Sequence, residues 1–234
     1  MTSKEIIRRV LEFDNPPSIG YDFLSPHPSD FRWAPFGNVN LPDREYQNWG
    51  QYPELLQKVP GFEGEVCKRD GTIYGRLGGK TKGECIKGAL EGGWDSLDGY
   101  LETYLLPYRD PKNYALDDIK KWAAGSRDMF TAGGIVSLQA IARDSRTIGN
   151  MLADTLLESE NLKRLVGACA DIAVAQVDML HGCGLDAAVM GDDWGLQNTL
   201  YINPESWRAI WKEPYARVVG RLHAHGMKFL RCVR

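Results

Sequence analysis

The chain has 234 residues, of which 43% are hydrophobic and 25% are charged, which is enough for one large domain or two small ones with a substantial buried core. Its formal net charge of −3 gives no electrostatic reason to expect nucleic acid or an anionic membrane as a partner. The opening MTSKEIIRRVLEF has no uninterrupted apolar stretch, and no window approaches the roughly 20 apolar residues of a membrane helix, so we expect neither a signal peptide nor a membrane span.

The cysteines are odd in number, widely spread and without a CxxC motif. They are Cys67, Cys85, Cys169, Cys183 and Cys232. This pattern predicts reduced thiols in a cytoplasmic protein and is not typical of a disulfide framework or a closed zinc site.

The first half of the chain predicts short elements around an aromatic-rich excursion. Residues 3–13 predict an amphipathic helix that Ser3 can cap. After two prolines, the segment SIGYDF (residues 18–23) predicts a first strand. Residues 25–62 are rich in Pro, Asn, Trp and Tyr without a clear period and indicate an ordered excursion.

A hairpin and a loop come next. Residues 64–77 are typical of a β-hairpin, because Asp70-Gly71 is a favoured two-residue turn between extended arms. Residues 78–84 (GGKTKGE) predict a glycine-rich loop that lacks the GxxxxGK[ST] framing of a phosphate loop. Residues 94–122 predict short helical pieces broken at two prolines.

The second half alternates strands and helices. Residues 129–137 (MFTAGGIVS) and 185–190 (LDAAVM) predict buried strands, and MKFL predicts another. One predicted helix follows the first of these strands with core positions as far as Leu156, a second spans residues 160–181, and a third begins at the N-cap Asn203. Such alternation over short connections indicates parallel strands joined by crossover helices.

Two neighbouring acids follow the strand LDAAVM. Loops at the carboxyl ends of parallel strands build the site in α/β barrels and sheets. We therefore take Asp192 and Asp193 as candidate catalytic residues. The alternative is that one aspartate caps the following turn and the other is solvated.

Candidate substrate-binding residues lie at the same predicted edge. They are Tyr21, Asp22, Ser137, Trp194, Gln197 and Tyr201. The alternative for Trp194 is a lid over the core, and the alternative for Tyr201 is a packing residue with its hydroxyl outward.

The histidines favour structural roles. His181 and Cys183 have a metal-like spacing, but they lie between a helix end and the start of a strand, opposite the usual site, so we exclude them as ligands. His223 and His225 lie at a helix end before Gly226, where polar or cationic groups complement the helix dipole.

The region from 184 to 229 contains spaced motifs that resemble the signature of the uroporphyrinogen decarboxylase superfamily, which includes the cobalamin-linked methyltransferases. The motifs are Gly184–Asp186, Asp192–Gly195 (DDWG), Asn203–Arg208 (NPESWR), Pro214-Tyr215 and His223–Gly226. The opening of the chain and the segment RDGTIYGRLGGKTKGE are similar to the first helix, first strand and hairpin of the methyltransferase-like branch.

The resemblance implies a TIM (β/α)8-type barrel whose cleft contains Asp192 and Asp193. By our count of strands the chain ends at about the fifth. We therefore expect one domain, 1–234, that is an incomplete barrel truncated at its C-terminus, with an N-terminal helix and an inserted hairpin. Its last strand would leave an open edge, through which we expect self-association.

Two departures from the family pattern bear on activity. Uroporphyrinogen decarboxylases have an arginine-rich R-Q-A-G-R-Y motif near the first strand for substrate carboxylates, whereas PPSIGYDF has no arginine. The methyltransferases continue into a His-x-Cys zinc pair, whereas this chain reads FLRCVR, in which Cys232 is a candidate ligand without partners. We therefore expect no bound zinc or other cofactor in this chain, although family members use zinc and a corrinoid partner.

The resemblance thus implies methyl transfer that involves a corrinoid protein or a methylated small molecule, in the cytoplasm, with no nucleic-acid or membrane partner. One alternative is uroporphyrinogen decarboxylase, a lyase of porphyrin biosynthesis. A second alternative is an inactive barrel fragment.

Overall fold

A computed structural model of the chain describes residues 1–23, 27–36, 65–67, 70–75 and 84–231. The strands in this part of the chain are β1 (Phe31–Trp33), β2 (Glu65–Cys67), β3 (Ile73–Gly75), β4 (Glu84–Lys87), β5 (Phe130–Gly134), β6 (Ala187–Met190) and β7 (Lys228–Arg231). The α-helices are α1 (Ser3–Glu12), α2 (Leu97–Tyr100), α3 (Leu116–Ala124), α4 (Leu138–Arg146), α5 (Ile148–Leu157), α6 (Ser159–Gly182), α7 (Pro204–Ile210) and α8 (Lys212–Ala224). Short π and 3-10 segments cover Leu101–Leu105, Leu106–Arg109 and Pro111–Asn113.

The main sheet has four parallel strands in the order β1-β5-β6-β7. Order in space therefore follows order in the chain, and helices connect each strand to the next. The larger core lies between this sheet and helices α4, α6 and α8. The fold is α/β, and its sheet is consistent with part of an α/β barrel.

The predicted first strand at residues 18–23 is wrong. The strand is β1, where Phe31 is in register with Phe130 of β5 and their ring centroids are 5.3 Å apart. Residues 18–23 form no strand because the backbone of Tyr21 is bonded to Asp30 instead: the Tyr21 N–H donates to the Asp30 carboxylate at 3.1 Å, and the Tyr21 carbonyl accepts from the Asp30 N–H at 2.9 Å.

The strand count is also corrected. The predicted strand MKFL corresponds to β7, which begins one residue later, at Lys228, and is the fourth strand of the main sheet and not the fifth. Among the described residues, the intervening strands β2, β3 and β4 pair with one another, as an antiparallel sheet, and not with the main sheet. The far side of β7 has no neighbouring strand among the described residues, and self-association through this edge stays a prediction. Cys232 lies outside the described residues.

The predicted hairpin is part of that three-stranded sheet. Cys67 pairs with Ile73, so the connection spans residues 68–72 and is longer than the two-residue turn that we expected. Within it the Asp70 carboxylate accepts the N–H of Thr72 at 2.9 Å. Residues 78–83 of the predicted glycine-rich loop lie outside the described residues, and Glu84 begins β4, a strand that the sequence did not predict.

The small sheet is fastened to α4 through Asp144. The Tyr74 hydroxyl donates to the Asp144 carboxylate at 2.6 Å, and the Cys85 thiol donates to the Asp144 carbonyl at 3.0 Å. Burial and the neighbouring charge of Asp144 raise the pKa of Tyr74 far above its ordinary value, so the phenol remains a hydrogen-bond donor.

Two predicted helices are each divided. The helix after β5 breaks at Thr147, whose φ is +64°, so that α4 and α5 have different faces toward the core. As a result Leu156, which we expected in the core, is 78% exposed. The helix that begins at Asn203 divides at Trp211 into α7 and α8. At the N-terminus, the cap of α1 is Thr2, while Ser3 donates to Asp30 at 2.6 Å.

Helix α6 follows the prediction. Its length and composition, however, differ from the expectation that no window is apolar enough for a membrane helix: within its 24 residues, an 18-residue window has a mean hydropathy of 1.2, which is long and apolar enough to cross a membrane. Of that window, 56% is buried within the protein. Its fully buried residues make it the central helix of the larger core. The cytoplasmic location stays a prediction.

Gly88 provides a test of how the segment after β4 packs on α4. A Cβ at this position would lie 2.2 Å from the carbonyl oxygen of Ser145, an atom that also accepts the N–H of Leu90 at 2.8 Å. We expect Gly88→Ala to lower the free energy of unfolding by about 1–3 kcal/mol through overpacking. Gly92→Ala, where a Cβ meets nothing within 4 Å, is the control and should stay within about 0.5 kcal/mol of wild type in urea denaturation.

Helices α6 and α8 are joined by a cluster on Asp178. Its carboxylate accepts from Arg221 at 2.5 Å and from His225 at 2.7 Å. Burial acts to raise the pKa of Asp178, but these two hydrogen bonds outweigh it and hold the pKa below its ordinary value of 3.8. The stabilisation is therefore present above that ordinary value and is lost as the pH falls through the lower, folded-state pKa.

We expect Asp178→Asn to flatten the loss of stability as the pH falls below the ordinary pKa of 3.8. Because the side chain is 42% exposed, the effect should not exceed about 1 kcal/mol. Urea denaturation across this pH range measures it, with Glu91→Gln in an exposed turn as the matched control. Identical pH slopes for Asp178→Asn and wild type would contradict the assignment.

Candidate functional site

The carboxyl ends of β5 and β6 are tied together. The Ile135 N–H donates to the Val189 carbonyl at 2.9 Å, and the Gly191 N–H donates to the Ser137 hydroxyl at 3.1 Å. Ser137 is also the residue that precedes α4. These bonds place the residue after Gly191, which is Asp192, at the start of α4.

Asp192 is a buried carboxyl group with several donors around it. It is 1% exposed. One oxygen accepts the N–H of Ala140, in the first turn of α4, at 3.3 Å, and the other accepts a short hydrogen bond from the hydroxyl of Tyr215 on α8. The first-turn amides of a helix lack partners within the helix and favour a carboxylate, which explains how an acid is accommodated here.

Trp194 completes this network. Its indole N–H donates to the Tyr215 hydroxyl at 3.1 Å, so the order is Trp194, Tyr215, Asp192. Trp194 is 6% exposed and lies edge-on to the Trp211 ring at 4.7 Å between centroids. The sequence identified Asp192 and Trp194 as site candidates but not Tyr215. The available signal was its place in the Pro-Tyr motif of the superfamily signature.

Cys169 on α6 lies close to this network. Burial raises the pKa of this thiol, and the negative charge of Asp192 raises it further, well above the ordinary value of 9.0. The thiol therefore stays protonated at neutral pH. A thiolate is the reactive form of cysteine, so the fully buried, protonated Cys169 packs as an apolar residue.

The second acid differs from the first. Asp193 is half-buried, and its carboxylate accepts the N–H of Gly195 at 3.1 Å, which shapes a turn. The chain then doubles back, because the Tyr201 N–H donates to the Trp194 carbonyl at 3.0 Å. Gln197 is exposed at the tip of this loop, and Tyr201 is half-buried at its base.

The candidates near β1 form a separate group. The Asp22 carboxylate accepts from the Ser29 hydroxyl at 2.9 Å and from the indole N–H of Trp33 at 2.8 Å. The backbone of Tyr21 is bonded to Asp30. The structure thus places these two residues against the segment that contains β1, whereas the other candidates lie at the ends of β5 and β6.

A further polar group behind β5 was not predicted. The Gln176 side chain of α6 accepts the N–H of Val136 at 2.7 Å and donates to the Tyr114 hydroxyl at 2.8 Å. Burial raises the pKa of Tyr114 to about 12, despite the opposing hydrogen bond from Gln176. The sequence signal was a lone glutamine among the apolar positions of α6.

No group of three or more His, Cys, Asp or Glu side chains within the described ranges is arranged to hold a metal ion. His181 stacks on His225 at 3.9 Å between ring centroids, and His225 pairs with Asp178. Because Cys232 is not described, the expectation that this chain binds no zinc stays a prediction.

Comparisons with known proteins add little to this geometry. No family model matches the chain, and no curated protein matches it. One solved structure with a similar backbone is a methyltransferase from Methanosarcina mazei, with 14% sequence identity and a TM-score of 0.41 over 51% of this chain and 34% of that chain. The match thus spans about a third of that protein, and a likeness at this level establishes neither fold nor activity.

The network on Asp192 can be tested through stability. Tyr215→Phe removes the hydroxyl that Asp192 and Trp194 share, and leaves buried polar groups with fewer partners. We expect the free energy of unfolding to fall by about 1–3 kcal/mol. Tyr201→Phe, in a half-buried phenol without a hydrogen bond of its hydroxyl to the described residues, is the control and should change it by less than about 0.5 kcal/mol. Equal losses for the two variants in urea denaturation would refute the network.

Proposed function

We propose that the chain is a barrel-type member of the uroporphyrinogen decarboxylase superfamily that takes part in methyl transfer, with a corrinoid protein or a methylated small molecule as its partner. The observation that supports this most is the network of Asp192, Trp194 and Tyr215. These residues come from two separate motifs of the superfamily signature, and hydrogen bonds join them at the carboxyl end of a parallel strand. This is the edge at which parallel α/β folds build their sites.

The two acids have different roles in this proposal. Asp192 is a positioning residue, because its buried carboxyl group holds Tyr215 and, through it, Trp194. Asp193 is half-exposed on the loop, so it is the carboxylate that can meet a substrate or orient a nucleophile. The described residues do not supply a zinc ligand set.

Uroporphyrinogen decarboxylation is less well supported. That reaction needs guanidinium groups for several substrate carboxylates. The arginine of β1 is Arg32, whose guanidinium donates to the Ser126 hydroxyl at 2.9 Å and lies over the Trp122 ring at 5.3 Å. Arg32 therefore serves packing beside α3.

The proposal is tested with methylcobalamin and a small thiol such as 2-mercaptoethanol. In the expected reaction the sulfur bonds to the methyl carbon, the thiol proton goes to solvent, and the cobalt–carbon bond breaks with both electrons on cobalt. Loss of methylcobalamin absorbance and the mass of the methyl thioether measure the rate. We expect Asp193→Asn to lower it at least about tenfold, and Asp95→Asn, at an exposed turn, to leave it unchanged.

Methyl transfer would be contradicted by rates equal to those without protein in two assays: transfer from methylcobalamin to the thiol, and transfer from a methylated amine to cobalt(I) cobalamin, in which the amine leaves and takes up a proton. Release of carbon dioxide from uroporphyrinogen in a parallel assay would favour the decarboxylase. An unchanged rate for Asp193→Asn would refute the role given to that residue.

A further inference from the structure

A cavity of about 240 Å³ lies between the loop after β6 and helix α7. Its lining consists of Trp194, Leu200, Ile202, Pro204, Trp207 and Arg208. Apolar walls with few polar groups are typical of small-molecule sites. Since a cavity of about 150 Å³ holds benzene, this one has room for a single ring with a short substituent.

The two tryptophan side chains of the cavity wall are fixed by contacts with residues outside the lining. The indole N–H of Trp194 is bonded to Tyr215, which is bonded to Asp192. Trp207 stacks on the Tyr215 ring at 5.8 Å and meets Trp194 edge-to-face at 6.5 Å between centroids. Both indoles are therefore ordered before a ligand arrives, and binding loses less conformational entropy.

The mouth of the cavity is apolar and open to water. Leu200 lines it and is nevertheless 52% exposed. Its loop is closed by a bridge between Gly195 and Leu200 and by the hydrogen bond from the Leu196 N–H to the Thr199 carbonyl at 2.7 Å. A ring seated here would remove the leucine side chain from water, which favours binding.

Arg208 is the charged residue of the lining. It is exposed on α7 and makes no hydrogen bond or ion pair to any other described residue. The indole N–H of Trp194 is already bonded to Tyr215, and among the lining residues Arg208 is the one that carries a charge. Recognition of an anion in the cavity therefore depends on the guanidinium of Arg208, whose planar array of donors matches a carboxylate.

The geometry points to a binding site for a small monocarboxylate with one aromatic or alicyclic ring. The ring lies against Trp194 and Trp207, and the carboxylate pairs with Arg208. This site goes beyond the proposed methyl transfer and does not depend on it, because binding requires no reacting group.

Calorimetric titration of the full chain with 3-phenylpropionate and with its uncharged analogue 3-phenylpropionamide tests the site. We expect the carboxylate to bind at least about tenfold more tightly than the amide. Arg208→Gln should reduce the affinity for the carboxylate to that for the amide and leave the amide unaffected. Arg127→Gln, at another exposed arginine, should leave both affinities unchanged.

Trp207→Leu should weaken both ligands at least about tenfold, with thermal melting as the check that the variant is folded. If it is not folded, Leu200→Ser at the exposed mouth is used in its place. No binding of either ligand, equal affinity for the two, or an Arg208→Gln protein that binds the carboxylate like wild type would each overturn the inference. Binding without methyl transfer contradicts only the proposed function, and methyl transfer without binding contradicts only this site.

Discussion

One buried carboxyl group, that of Asp192, joins the end of β6 to two helices. It accepts from the first turn of α4 through Ala140 and from α8 through Tyr215. At 1% exposure such a group is costly unless its oxygens are hydrogen-bonded. The helices and the strand end therefore have to keep their relative positions. The Trp194 indole is oriented by its hydrogen bond to Tyr215, which is bonded to Asp192. The walls of the neighbouring cavity therefore depend on this carboxyl group.

The sheet explains why that edge is the one with room for a site. Along β6, Ala187 packs on the α1 side and Ala188 on the side of the larger helices. Small residues let both layers approach closely, and at Gly133 of β5 a Cβ would lie 2.5 Å from Leu180 of α6. Helix α1 reaches the amino end of the sheet, where Lys4 pairs with Asp186 at 2.7 Å. The loops that follow the strands are left to form the cavity.

Elements that depend on residues close in sequence were predicted correctly, and features that depend on contacts between distant residues were not. Helix α6 and strands β5 and β6 were predicted because their periodicity lies within a few residues of sequence. The first strand was not predicted correctly. Residues 18–23 and 31–33 are both short segments, and only the pairing with β5 shows which of them is a strand. The break between α4 and α5 was not predicted because it depends on a positive φ at Thr147. A positive φ is uncommon at residues other than glycine, so there was no reason in the sequence to expect one there. The acids were found from their place after a strand, but Tyr215 required the packing of α8 beside β6.

In the structure, the residues of the motifs that resemble the superfamily signature make contacts within the protein. Asn203 caps α7 by accepting from the Glu205 N–H at 2.7 Å, and Gly226 ends α8 with a φ of +67°. Asp186 binds Thr131, and Asp192 joins two helices. Each of these side chains or backbone positions thus has a structural contact within the protein. The carboxylate of Asp193 and the guanidinium of Arg208, in contrast, are groups on the same loop and helix that folding leaves accessible.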